Sequence, residues 1–296
     1  MDEDTETVEG VVSVDGSSAL SGKVAIITGA SAGIGASLAR AFAAAGAGLV
    51  LVARGSERLN RLVAELGPTA RAVAGDVTDP DTARRAVDAA RTELGGVHVL
   101  VNNAGGNLGL MGPMFAVGRE RASEIFDLNV IAPVEWSRAA WEGGMSEGGG
   151  VIVNVSSLSA SRGSAATGYY AVSKAALDRV TSQLAWELGP RVRVVGVGPG
   201  MTSTEMTATL VDRLGPTLYE HVPAQRIATT ADVASAILFL VSDAASFITG
   251  VTLPIDGGEL GVPLGSHLPM PRSAKPRQPA EVTARGGGGR QKPPPG

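Results

Sequence analysis

The sequence predicts one α/β domain: a single Rossmann-like, doubly wound, seven-stranded parallel sheet with helices on both faces. Three observations predict it. Short apolar runs recur along the middle of the chain, helical patterns separate them, and a glycine-rich turn joins the first run to the first helix. Strands covered on both faces read as nearly continuous β-branched runs. Their alternation with helices argues for a parallel sheet with right-handed crossovers.

The elements follow in order. VAIIT at 24–28 is the first strand, and Ile34, Leu38, Ala41, Phe42 and Ala45 mark the apolar face of the helix behind it. LVLVA (49–53) is the second strand, RAVA (71–74) a weaker one, and VHVLV (97–101) and VIVNV (151–155) the next two. A helix follows GYYAVSK (168–174), with Val172, Ala175, Ala176, Val180 and Leu184 expected on its apolar face and Arg179 as a polar break. RVVGV (193–197) and TLPI (252–255) complete the set. Pro254 suits an edge strand, where a missing N–H costs little.

Composition bounds the function. The hydrophobic share of 44% supports a sizeable core, and the low aromatic share of 4% makes that core aliphatic. There is no cysteine, which excludes disulfides and thiolate metal sites. His98, His221 and His267 are scattered, so no metal site is expected. No apolar signal core and no apolar run of about 18 residues is present, and a soluble cytoplasmic protein without membrane contact is expected.

Charge divides the chain. Residues 1–21 carry six acids and no Lys or Arg, whereas 261–296 carry six Lys or Arg and one acid. An acidic disordered extension (1–21), the α/β domain (22–260) and a basic Pro/Gly-rich disordered tail (261–296) are expected. The tail has no aromatic residue to stack on a base, so it reads as a solvated extension and no nucleic-acid partner is expected.

TGASAGIG (28–35) lies between the first strand and the first helix. Gly29, Gly33 and Gly35 let the chain turn sharply and let backbone N–H groups approach a phosphate. The helix start behind them favours an anion, so a dinucleotide pyrophosphate is expected there. An acid about 20 residues further on would select NAD. Ala53 and Arg54 stand there instead, and Arg54 with Ser31 could hold a 2′-phosphate. NADP(H) is therefore favoured and NAD(H) left open. Asp76 of GDVTD and Asn103 and Ala104 of NNAGG follow apolar strands, where α/β sheets bind ligands.

Tyr170 and Lys174 are four apart and share a helix face, while Tyr169 and Lys174, five apart, do not. A free tyrosine has a pKa near 10. A close ammonium and a charged nicotinamide would lower it, making Tyr170 a proton donor or acceptor near neutral pH. Ser157, thirteen residues earlier, could bond a substrate carbonyl, and Asn129 sits in a helical pattern where Asn is a poor former.

T-G-x-x-x-G-I-G, D-V, N-N-A-G, the in-helix Asn, Ser, Y-x-x-x-K and P-G-x-x-x-T occur in this order over about residues 20–260. The chain thus resembles the short-chain dehydrogenase/reductases of the roughly 250-residue type, and within them most generally the 3-oxoacyl-carrier-protein reductases. The resemblance implies a catalytic set. Tyr170 is the general acid or base, Lys174 holds the nicotinamide ribose and lowers the Tyr170 pKa, Ser157 polarises the carbonyl, and Asn129 holds a water linking Lys174 to solvent. Its motifs add Ile34, Val77, Gly105, Pro199, Gly200, Thr202 and Thr204 to the cofactor site, the two threonines near the carboxamide. Val195 departs from the Asn the family often has there.

The implied chemistry is hydride transfer between a nicotinamide and a ketone or secondary alcohol, such as a 3-oxoacyl thioester or a polyketide-like ketone. The alternative is a catalytically silent NADP(H)-binding regulatory protein of the same fold. Residues 205–226, with Met206, Leu210, Leu214, Leu218 and Tyr219, stand where the family has a substrate lid. Trp136, Trp141 and Trp186 lie on helices that form subunit interfaces in the family, so a homotetramer or dimer is expected.

Overall fold

The structure is a computed structural model and describes residues 19–110, 112–162, 167–205, 207–220 and 222–261. Nearly all of both expected tails, together with Met206 and His221, lies outside the described residues.

Seven strands form one sheet: β1 (Val24–Thr28), β2 (Gly48–Ala53), β3 (Ala70–Ala74), β4 (Val99–Asn102), β5 (Gly150–Val155), β6 (Val192–Pro199) and β7 (Thr252–Ile255). Their order is β3-β2-β1-β4-β5-β6-β7, and every neighbouring pair is parallel. The order reverses between β1 and β4, so the crossovers leave a crevice beyond the carboxyl ends of those strands. Pro254 sits on an edge strand, as its missing N–H requires.

The helices are α1 (Gly33–Ala44), α2 (Ser56–Leu66), α3 (Pro80–Leu94), α4 (Arg119–Phe126), α5 (Ala132–Ala140), the single turn α6 (Ser146–Gly148), α7 (Gly168–Leu188), α8 (Ala208–Leu214) and α9 (Thr230–Val241). On one face Leu38 and Phe42 of α1, Leu59 of α2 and Ile237 of α9 pack on Ile27, Leu51, Val101 and Val153. On the other, Ala86 of α3 and Trp136 of α5 pack on Ile26, Val50, Leu100 and Ile152. Adjacent residues of one strand feed opposite cores, and this is why the runs are apolar throughout. None of the described helices is long and apolar enough to cross a membrane.

Local signals set the helix ends. Asp79 caps α3 by accepting the Asp81 N–H at 3.0 Å, Pro80 opens the helix, and Gly95 closes it in the left-handed region. At α9, Thr229 and Asp232 form a reciprocal capping box. Arg226 adds two bonds to the Asp232 carboxylate, at 2.7 and 2.8 Å.

Two expectations need correction. The buried side of α7 is Ser173, Lys174, Leu177 and Thr181, whereas Val172 is exposed. The helix is turned away from the face its apolar residues mark, because its polar residues have partners in the sheet. Trp136 is no interface residue either: it is 1% exposed, and its Nε1 donates to the Val77 carbonyl at 2.9 Å. Trp186, at 85% exposure, does lie on the surface.

Candidate active site

The carboxyl ends of the strands open into a cavity of about 1640 Å³. Gly29, Ser31, Gly33, Ile34, Arg54, Asp76, Val77, Asn103, Ala104, Gly105, Ser157, Tyr170, Pro199, Gly200, Thr202 and Thr204 all line it. Gly35, Asn129 and Lys174 are buried next to it. The motif residues, spread over some 180 positions of sequence, therefore meet at one place.

The glycine turn is shaped for close approach. Gly29 and Gly33 have φ of 66° and 54°, where a side chain is strained. A Cβ on Gly35 would lie 2.3 Å from the Gly29 carbonyl and 2.7 Å from Asn103 Nδ2. The first turn of α1 has no acidic residue, and Ala32 at its N-cap offers no side-chain acceptor. Its unpaired N–H groups and dipole thus suit a pyrophosphate. On this geometry the residues present fit a dinucleotide.

The loop after β4 is tied to β1 by one hydroxyl. Thr28 Oγ1 accepts the N–H groups of Asn103 and Ala104, each at 3.0 Å, and donates to the Val101 carbonyl at 3.2 Å. Asn103 Nδ2 returns to the Thr28 carbonyl at 2.9 Å. Thr28 opens the T-G-x-x-x-G-I-G motif, but the sequence does not show this bridging role. Arg54 is exposed at the cavity lip. The Asp76 carboxyl is held below its ordinary range, first by the Thr78 backbone N–H at 3.0 Å and also by the Thr78 hydroxyl and the Arg54 charge.

At the other end stand Ser157, Tyr170 and Lys174. Burial raises the Tyr170 pKa, and a hydrogen bond with Ser157 draws it back. Lys174 Nζ lies 5.9 Å from the centroid of the tyrosine ring and donates to the Val155 carbonyl at 2.7 Å. Lys174 is 3% exposed, and burial lowers its pKa to about 8, with Asp178 acting against the shift. Gly105 makes room for this group, since a Cβ there would lie 3.0 Å from Lys174 Nζ and 2.8 Å from Asn129 Oδ1.

Asn129 is fully buried in a π-helical turn, Asp127–Ile131, between α4 and α5. Such turns are frequent at functional sites. Its side chain bonds both polar groups of Gly106 and donates to Ser173 Oγ at 3.0 Å. Ser173 Oγ in turn donates to the Tyr170 carbonyl at 2.8 Å, so Asn129 braces the helix that carries Tyr170. Two further residues went unnoticed in the sequence. Arg162, after Ser157, pairs with Glu259, after β7, and both line the cavity. Their spacing of 97 positions hides the pair from any local pattern.

Comparison with known proteins now decides the family. The family model described as enoyl-(acyl carrier protein) reductase matches residues 29–259. The 3-oxoacyl-(acyl-carrier-protein) reductase of Vibrio cholerae is 36% identical over 243 residues, 81% of this chain and 98% of that protein. A short-chain type dehydrogenase/reductase from Mycobacterium ulcerans superposes with a TM-score of 0.78 at 34% identity, over 81% of this chain and 90% of that one. The chain belongs to the short-chain dehydrogenase/reductase family. Other relatives of this family are the L-xylulose reductase of Bos taurus, 37% identical over 81% of this chain and 98% of its own length, and the 7alpha-hydroxysteroid dehydrogenase of Escherichia coli, 36% identical over 81% and 94%. As a short-chain dehydrogenase/reductase, the chain is an oxidoreductase acting on CH–OH and C=O groups and binds a nicotinamide cofactor.

Proposed function

We propose that the chain is an NADP(H)-dependent carbonyl reductase or alcohol dehydrogenase, with Tyr170 as proton donor or acceptor and Ser157 beside it as the carbonyl ligand. The observation that carries the reading is that Ser157 and Tyr170 both line the cavity, with the buried Lys174 Nζ 5.9 Å from the centroid of the tyrosine ring. A substrate oxygen placed between the two would accept from both. The nicotinamide, when bound, supplies or takes up the hydride. Tyr170 delivers the proton to the carbonyl oxygen in reduction and removes it in oxidation. Ser157 orients that oxygen and shares its developing charge. Lys174 would hold the cofactor ribose, and Asn129 would link it to solvent through a water.

The phosphate-side reading is NADP(H). Arg54 at the lip and Ser31 in the glycine turn favour it, and Ala53 leaves that strand end without a carboxylate. Leu158, Met201 and Leu210 contribute apolar lining to the cavity wall. A medium-sized apolar ketone suits that wall, and a 3-oxoacyl thioester or a polyketide-like ketone is the first choice. A homo-oligomer, tetramer or dimer, and a cytoplasmic setting complete the proposal. The exposed Trp186, Phe247 and Leu253 and the absence of cysteine support these two points.

The test is the loss of reduced-nicotinamide absorbance with NADPH or NADH and a panel of ketones that includes a 3-oxoacyl thioester. NADPH consumption that disappears in Tyr170→Phe supports the proposal. Binding of NADPH without turnover on any ketone would favour a silent regulatory protein, and no binding of either cofactor would overturn the reading.

A further inference from the structure

Four register partners form one row across the sheet: Asn102 of β4, Asn154 of β5, Gly196 of β6 and Thr252 of β7. The row is polar where strands are otherwise apolar, and it lies under α7. Asn102 Nδ2 donates to Asn154 Oδ1 at 2.9 Å, and Asn154 Nδ2 donates to Thr181 Oγ1 of α7 at 2.9 Å. Gly196 is the member without a side chain. A Cβ there would lie 2.3 Å from Thr252 Oγ1, so the glycine leaves the gap through which Thr252 reaches the helix. Thr252 Oγ1 donates to Asp178 Oδ1 at 3.0 Å.

Asp178 is one turn beyond Lys174, as Lys174 is one turn beyond Tyr170. Ser156 Oγ, at the end of β5, donates to the Lys174 carbonyl at 3.2 Å and lies close enough to Asp178 to favour its carboxylate form. A half-buried carboxylate that touches no reacting atom calls for an explanation. Lys174 offers one. Its ammonium is buried at a cost, and Asp178 is the charge of opposite sign that acts on it. The other groups that face Lys174 are the Tyr170 ring on its own helix, the Val155 carbonyl and Ser156 at the end of β5, Asn129 in the π turn and Gly105 in the loop after β4. Of these only Tyr170 titrates. Asp178 is faced by Lys174, Thr252 and Ser156.

We propose that Asp178 is a positioning residue for Lys174: clamped by Thr252 through the gap at Gly196, its carboxylate keeps the Lys174 ammonium charged inside the fold. The inference rests on the role given to Lys174 above. A merely structural Asp178 would anchor α7 to β7 and leave the charge of Lys174 alone.

The chain has four lysines, Lys23, Lys174, Lys275 and Lys292, so lysine labelled with carbon-13 at Cε yields a short spectrum for the full chain. The Lys174 signal, assigned with Lys174→Arg, titrates with a midpoint near 8 in the parent protein. Asp178→Asn keeps the shape and the bond from Thr252 but removes the charge, and the midpoint falls by about one pH unit. An unmoved midpoint in a folded Asp178→Asn protein overturns the proposal. Should that variant fail to fold by circular dichroism, Thr252→Val decides. It leaves the charge but releases the clamp, so a smaller fall supports the proposal and an unchanged midpoint overturns it. In ketone reduction the alkaline limb of kcat moves to lower pH with the midpoint, whereas an equal loss at every pH means simple anchoring and counts against the proposal. The titration needs no turnover. Failure of the parent protein to reduce any ketone therefore strikes the functional reading alone.

Discussion

Asn129 closes both polar groups of Gly106: its Oδ1 accepts the glycine N–H at 3.0 Å, and its Nδ2 donates to the glycine carbonyl at 2.9 Å. One buried amide thus fixes the loop after β4 against the helix before α5. Asn129→Asp keeps the acceptor and loses the donor, so the Gly106 carbonyl and Ser173 hydroxyl lose their partner. The expected cost is about 1–3 kcal/mol of stability, read by thermal unfolding, together with reduced turnover. A melting temperature equal to that of the parent would contradict the bracing role.

Tyr170→Phe removes one oxygen and leaves the ring against Lys174. Loss of general acid–base help lowers kcat by about 10²–10⁴-fold. Cofactor affinity, measured by fluorescence titration, stays within a few-fold of the parent. A variant that keeps its rate would move the proton transfer to another group.

Arg54→Glu places a carboxylate at the lip where the 2′-phosphate is proposed to bind. A charge-assisted bond contributes about 1.5–3 kcal/mol, so kcat/KM with NADPH falls by about 10–100-fold while that with NADH is kept or rises. Equal losses with both cofactors would show that Arg54 does not discriminate between them.

Gly35→Ala drives a methyl group into the Gly29 carbonyl and Asn103 Nδ2, at 2.3 and 2.7 Å. Both contacts belong to the turn and the loop that frame the cofactor site. Cofactor binding is expected to weaken more than tenfold, in line with a loss of over 1.4 kcal/mol, with a lower melting temperature. Unchanged affinity would mean that α1 can retreat without disturbing the turn.

Asp232 provides a stability prediction with a defined sign. Chiefly through its side-chain bonds with Arg226, and also through the Thr229 N–H and hydroxyl, its pKa falls from 3.8 to about 2. A lowered carboxyl pKa stabilises the fold above the unfolded value, and that contribution is lost as pH falls through the folded one. At pH 7 Asp232→Asn costs on the order of 1–2 kcal/mol after allowance for solvent screening. The gap in unfolding free energy between variant and parent narrows below pH 3.8 toward 2. A gap that stays constant with pH would assign the effect to packing alone.

The sheet was legible in the sequence because β1, β2, β4, β5 and β6 are apolar on both faces, and every expected strand appears within two residues of its place. RAVA, the weakest run, became edge strand β3. The cavity-lining residues were legible because they sit in short motifs just past strands. The buried face of α7 was not. Its spacing from Tyr170 points Lys174 into the pocket, but nothing local marks Ser173 and Thr181 as buried until Asn129 and Asn154 are seen opposite them. Trp136 misled for a related reason: its indole N–H finds the Val77 carbonyl, 59 positions away. Hydrophobic period reports what is apolar, whereas burial of a polar side chain depends on a distant partner.

The π turn at Asp127–Ile131 joins α4 and α5 into one continuous helical path. Such a turn amounts to a single residue inserted into an α-helical frame. Everything downstream is rotated by about 100° from where an uninterrupted helix would place it. The insertion that lets Asn129 face Gly106 therefore also aims Trp136 at Val77. Deleting one residue from this segment would restore an ordinary helix and misdirect both side chains at once. Segment length is thus a specification in its own right here, and natural variation that preserves every site residue but shortens this stretch by one should abolish the site.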